Sequence, residues 1–254
     1  IMAFHNNPRI VTNGLIWCID ANDINSYPGS GTAWNNIGTA GGSATLVHDP
    51  PKTSSYGGAI SFDGANDYAT VASMGAMIPD GDISVDIVFN RGFDSSAGEE
   101  RIFYIYNGLE VYFRGDWAGN SCYLLRKIEG SNHFGGSAWS GYTGVALASG
   151  DVGAPGLRHL CFTLESSSTS GIGKGYIEGV LERTDNLYDN NAGGTDDHEG
   201  FKAVTSSTTG FIATTSASGS KADCDIASFK IYDRVLSESE VKQNYNAHKS
   251  RFGF

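Results

Sequence analysis

Hydrophobic and polar residues alternate with a period of two over much of the chain, the pattern of strands with one buried face. Residues 84–90 show it most cleanly: Val85, Ile87 and Phe89 share the inward face, and Ser84, Asp86 and Asn90 the outward one. Residues 101–106 and 109–114 flank Asn107-Gly108, a strong two-residue turn signal, and predict a hairpin. Leu109, Val111 and Phe113 form one of its faces; Glu110, Tyr112 and Arg114 form the other. Ile60 and Phe62 alternate with Ser61 and Asp63, after which Asp63-Gly64 turns the chain. Further strands are predicted over residues 122–128, around Leu160, Phe162 and Leu164, and over 175–181 with a tight turn at Glu178-Gly179. Residues 15–20 are apolar on both faces, as in a strand covered on both sides. Phe211 and Ile212 mark a short strand within the Ser/Thr-rich run 204–220, whose alternation suits an exposed sheet face.

Near the end the period changes. Ala227, Phe229 and Ile231 alternate with Ser228, Lys230 and Tyr232, predicting a last strand. Ser237 and Glu240 then form a capping box, and Leu236 and Val241 a hydrophobic staple. Glu238 and Glu240 suit the positive end of the helix dipole. The spacing predicts a short helix of about two or three turns. Residues 22–45, 129–156 and 184–200 are rich in Gly, Asn, Asp or Ser and predict loops.

Glycine is high, 34 of 254 residues, and aromatics make up 11%. Many strands, many glycine turns and few helix formers point to an all-β chain, an antiparallel jelly-roll β-sandwich of roughly a dozen strands with the helix on its edge. Residues 1–13 read as an N-terminal arm and 14–254 as one domain, without a proline-rich linker or fixed-period repeat. A chain of this size buries about 75% of its unfolded surface and needs no staples.

The formal net charge of -11 argues against nucleic acid and anionic membranes as partners. No apolar run is long enough to insert in a membrane. Residues 1–8 carry neither a basic nor an apolar leader pattern, which predicts synthesis in a cytoplasm without secretion. Cys18, Cys122, Cys161 and Cys224 form no C-x-x-C pair and lie in or beside apolar strand patterns. They read as buried free thiols rather than a zinc site.

Four segments carry a family resemblance. Residues 231–237, with Glu240-Val241 and Asn244-Tyr245, resemble the closing signature of laminin-G/concanavalin A-like lectin domains. Residues 15–21 with 26–32 and Trp34 resemble that family's opening strand and loop, and residues 60–68 its FDG strand. Residues 158–163 with 175–181 resemble its central hairpin. The form that ends in Arg251-Phe252-Gly253 is similar to domains of bacteriophage virion proteins. The resemblance implies a concanavalin A-like sandwich and a virion structural protein, either a capsid decoration or a fibre or tail surface module. It would be made in the host cytoplasm, displayed on the virion surface and docked on other virion proteins, with a homo-oligomer among the options. A glycan-binding adhesion module acting in host recognition is the alternative.

The same fold hosts glycoside hydrolases, which need two carboxyl groups about 5 Å apart across the scissile bond in the retaining case. No run places such a pair on one strand face, so no catalytic residue is assigned and cleavage of polysaccharide ranks last. The resemblance also implies one structural Ca2+, with Asp20 and Asp225 as contributors. An acid often stands in the family where this chain has Ser228. A sugar needs exposed rings, which cover its apolar face, with polar groups beside them. Trp117, His133, Trp139 and Tyr142 lie among Gly, Ser and Asn and are the expected contacts for a host-surface glycan.

Overall fold

The computed structural model describes residues 9–91, 99–114, 121–127, 142–147, 156–166, 171–186 and 204–253. Among them are sixteen strands and one α-helix. In chain order the strands are β1 (Leu15–Asp20), β2 (Ala33–Asn35), β3 (Ser43–Val47), β4 (Lys52–Thr53), β5 (Ala59–Asp63), β6 (Tyr68–Val71), β7 (Ile83–Arg91) and β8 (Glu99–Ile105). They continue as β9 (Leu109–Arg114), β10 (Ser121–Lys127), β11 (Tyr142–Leu147), β12 (Arg158–Ser166), β13 (Gly171–Ile177), β14 (Val180–Asn186), β15 (Gly210–Ile212) and β16 (Asp223–Tyr232). Helix α1 spans Glu238–Phe252. It is not long and apolar enough to cross a membrane.

The strands form two antiparallel sheets. The front sheet has the order β14-β13-β12-β7-β16-β5-β4, with β1 added on β16. The back sheet has the order β11-β10-β9-β8-β15-β6-β3-β2. The predicted loop at 22–45 therefore contains the short edge strand β2 and most of its neighbour β3. Their inward residues, Trp34 and Ala44, are fully buried.

Local chemistry explains the turns. Glu178 and Gly179 both have positive φ, 51° and 75°, and join β13 to β14 in the two-residue turn that matches strand twist. Asn107 takes a φ of 53° between β8 and β9. The Asp63 carboxylate accepts from the amides of Ala65, Asn66 and Asp67 at 2.9–3.1 Å, steering the chain from β5 in one sheet to β6 in the other.

The inner faces meet through aromatic contacts. Phe89 of β7 lies 5.0 Å from Phe113 of β9, and Phe229 of β16 lies 4.8 Å from Phe103 of β8. A bulge between Ile226 and Ser228 corrects the expected facing of β16. It turns Ala227 outward, against Val88 and Phe252, and keeps Ile226, Phe229 and Ile231 in the core.

Helix α1 is longer than the pattern predicts, at 15 residues. Both halves of the Ser237–Glu240 capping box are present, and Gly253 closes the helix at φ 76°. Its buried stripe is Val241, Asn244, Tyr245, His248 and Phe252, spaced as one helical face. Two of these are polar, so the apolar periodicity fades after Tyr245 although the helix continues. The helix lies over the outer face of the front sheet rather than along the sandwich edge. Residues 9–13 of the expected arm lie against it: the Val11 amide donates to Asn244 at 2.8 Å, and Gln243 donates to the Arg9 carbonyl at 2.8 Å.

Candidate functional site

The two sheets present very different outer faces. The front face is closed by α1 over a buried ionic cluster. Asp86 of β7 accepts from the Lys230 ammonium of β16 at 2.9 Å, from Asn244 of α1 at 3.0 Å, and from Nε2 of His159 on β12 at 3.0 Å. Lys230 also donates to Nε2 of His248 at 2.8 Å. Asn244 donates in addition to the Tyr232 hydroxyl, which itself donates to the Val11 carbonyl. None of Asp86, His159, Lys230, Asn244 or His248 is more than 4% exposed. Burial alone would raise the Asp86 carboxyl; Lys230 and His159 overcome it and hold the group well below the usual carboxylate range.

A histidine on a carboxylate invites a catalytic reading, and a thiol, Cys161, lies on the same face. Burial pushes that thiol well above its ordinary range, so it stays protonated and a poor nucleophile. His159 and Asp86 have no exposed surface through which a substrate could reach them. The cluster is a clasp between sheet and helix.

The outer face of the back sheet has no helix on it among the described residues. Its register aligns Thr45, Thr70, Phe211, Tyr104 and Glu110 in one row across β3, β6, β15, β8 and β9. Their chain neighbours Leu46, Ala69, Ile212 and Phe103 point into the core, so this row points out. Thr45 is exposed, while Thr70, Phe211 and Tyr104 are half-buried. Phe211 and Tyr104 are direct cross-strand neighbours, with Cβ atoms about 5 Å apart by sheet geometry. Threonine hydroxyls lie on one side of this pair. On the other is the Glu110 carboxylate, which accepts from Arg101 at 3.3 Å while that guanidinium lies 5.1 Å over the Tyr112 ring. Burial and the nearby Glu110 charge raise the Tyr104 phenol, which stays protonated as a hydroxyl donor.

A concavity of about 400 Å³ opens at the edge of the front sheet. Asn22, Lys52, Thr53, Ser54, Gly57 and Gly58 line it. It offers an ammonium, an amide and hydroxyls, but no aromatic ring.

No protein-family model matches the chain, and no curated protein matches it in sequence. Solved structures do. The receptor binding domain of botulinum neurotoxin C/D mosaic serotype matches with a TM-score of 0.62 at 12% identity, over 92% of this chain and 51% of that one. The type G receptor binding domain gives 0.58 at 13% identity, over 92% and 51%. The serotype D ligand binding domain in complex with N-acetylneuraminic acid gives 0.61 at 12%, over 92% and 51%. The likeness is one of fold. This chain is a lectin-like β-sandwich, and it spans about half the length of those binding domains.

On this sandwich the residues singled out in the sequence fall in different places. Trp117, His133 and Trp139 lie outside the described residues. Tyr142 opens β11, with its backbone opposite Lys127. Trp34, part of the opening-loop resemblance, is completely buried and contributes to the core. Asp20 and Asp225 do not offer calcium a shared site. Both Asp20 oxygens are held by Arg251, at 2.5 and 2.7 Å, and Oδ1 also accepts from the Asn22 amide. Burial opposes ionisation of Asp20, but Arg251 prevails and lowers its pKa. Asp225 accepts instead from Asn90 at 3.0 Å. Among the described residues no group of three or more His, Cys, Asp or Glu side chains is arranged for a metal ion. A cation at Asp20 would have to displace a guanidinium.

Tyr104 and Phe211 are absent from the expected contacts. The alternation places Tyr104 opposite Phe103 and Ile105 in facing, and so flags an outward ring. Nothing in the sequence brings it beside a residue more than a hundred positions away.

Proposed function

We propose that the chain is a non-enzymatic glycan-binding surface module and that the row centred on Phe211 and Tyr104 is its sugar platform. The paired outward rings carry the reading. Adjacent aromatic side chains cover the apolar face of a sugar, and the flanking Thr70 and Thr45 supply hydroxyls as acceptors and donors for its own. The neighbours support it by analogy of fold: one was solved with N-acetylneuraminic acid, and another bears on the dependence of botulinum neurotoxin type C cell entry on two ganglioside molecules. From the resemblance of residues 231–253 to bacteriophage virion domains we further propose that the module sits on a virion surface, docked on capsid or tail proteins and facing host glycans.

The test is a glycan array with the purified chain, followed by titration of the strongest hit. Tyr104→Ala and Phe211→Ala should each weaken binding about tenfold or more, roughly 1.5 kcal/mol for one lost ring contact. Tyr104→Phe should keep most of it. Thermal melts establish that each variant is folded. An array silent for the folded wild type, or binding unchanged in both alanine variants, would refute the proposal; loss only in Trp139→Ala would move the platform to residues 129–156.

A further inference from the structure

The clasp under α1 holds one histidine, His248, in a position where an added proton would face an ammonium. An ammonium can only donate, so the 2.8 Å contact from Lys230 fixes Nε2 of His248 as an acceptor and its ring as neutral. Protonation would set an imidazolium N–H against the Lys230 ammonium in a site where His248 is 4% and Lys230 1% exposed.

Every element around His248 has been committed already. On β16 it meets Lys230. On β7, Asp86 is the cluster's one carboxylate, and its two oxygens serve Lys230, His159 and Asn244. On β12 the His159 ring lies 6.2 Å away, with an Nδ1 that is buried and without a hydrogen-bond partner. On α1 itself stand Phe252, 5.3 Å away, and the cation Arg251. We propose that Asp86, Lys230, His159 and His248 form an acid-sensitive latch, which holds α1 on the front sheet near neutral pH and releases it when His248 takes up a proton.

Burial, with Lys230 adding to it, depresses the folded-state His248 well below the ordinary 6.5. In the released state it returns to that value, so the released state binds more protons below about pH 6.5. Docking is complete above that pH and weakens as pH falls, by about tenfold per unit. The other ties persist through this window: Arg234 holds the Glu240 carboxyl down to about 2, and Arg251 keeps Asp20 lowered. The helix can leave without dismantling the sandwich, because no α1 residue belongs to the main inter-sheet core. Release would uncover Cys161, Tyr176, Tyr232, Val88 and Ala227, and free residues 9–13 with the helix.

Hydrogen exchange read by mass spectrometry, corrected for the intrinsic pH dependence, tests this directly. Protection of residues 238–252 should fall about 30-fold between pH 7.4 and 5.0, while that of β7 and β12 holds. His248→Gln keeps an acceptor for Lys230 and should abolish the pH dependence; His48→Gln, at an exposed position, should not. Should His248→Gln fail to fold, Lys230→Met gives the second test. Without the ammonium a protonated His248 faces Asp86, and acidification should no longer loosen the helix. Equal protection at both pH values in the wild type, or an undiminished acid response in His248→Gln or Lys230→Met, overturns the latch.

Discussion

Asp86→Asn removes one negative charge from a site with no exposed surface and leaves the Lys230 ammonium behind, also buried. Three donors converge on this carboxylate from three elements, β16, β12 and α1. Breaking a buried ion pair from one side costs about 3–5 kcal/mol, because the remaining charge is uncompensated. For a domain of this size that corresponds to a melting temperature lower by about 6–20 °C. Urea unfolding at pH 7.5 followed by tryptophan fluorescence measures the loss. The paired variant Asp86→Leu/Lys230→Met removes both charges and should recover more than half of it, with a coupling above about 1.5 kcal/mol in the double-mutant cycle. A loss below about 1 kcal/mol for Asp86→Asn, or strictly additive variants, would show that the cluster does not hold the helix to the sheet.

Other expectations are more local. Gly179→Ala places a Cβ at φ 75°, 2.9 Å from atoms of Lys242 and Tyr245, and should cost about 1–2 kcal/mol in a thermal melt. Glu240→Gln loses the charge that Arg234 grips with two nitrogens, at 2.9 and 2.6 Å; on this partly exposed pair the loss should be about 1 kcal/mol and shrink in high salt. All four cysteines are buried, and burial raises Cys18 to about 12 and pushes Cys161 and Cys224 well above the ordinary thiol range. The native protein should therefore resist a disulfide reagent at pH 8 that titrates four thiols in guanidinium. Below about pH 4 a second loss should follow that of His248. Asp86 and Asp20 have depressed folded values, so their stabilisation is present above the ordinary 3.8 and disappears as pH falls beneath it. An acid melt series with one transition centred well above pH 6.5 would contradict both assignments.

Local signals in the sequence account for much of the fold. The alternation at residues 84–90, the turn at Glu178-Gly179 and the Ser237–Glu240 box all act over a few residues, and each appears where the pattern puts it, while the turn at Asn107-Gly108 takes in Tyr106 as a third residue. The bulge at Ala227 and the length of α1 did not, because the first depends on pairing with β7 and the second on polar residues buried along a helical stripe.

Alternation determines which side chains share a face of a strand. It carries no information on what that face meets. Ser84, Asp86 and Lys230 occupy the outward positions a solvated sheet would give to polar groups, yet all three are buried, because a helix about 150 residues further along the chain from Asp86, and the connection leading into it, settle over them. Phe211 and Tyr104 are likewise two unrelated rings until β15 pairs with β8. The strands, turns and cap were fixed by short-range steric and hydrogen-bonding preferences. The clasp and the aromatic row arose only when long-range pairing brought distant segments into register.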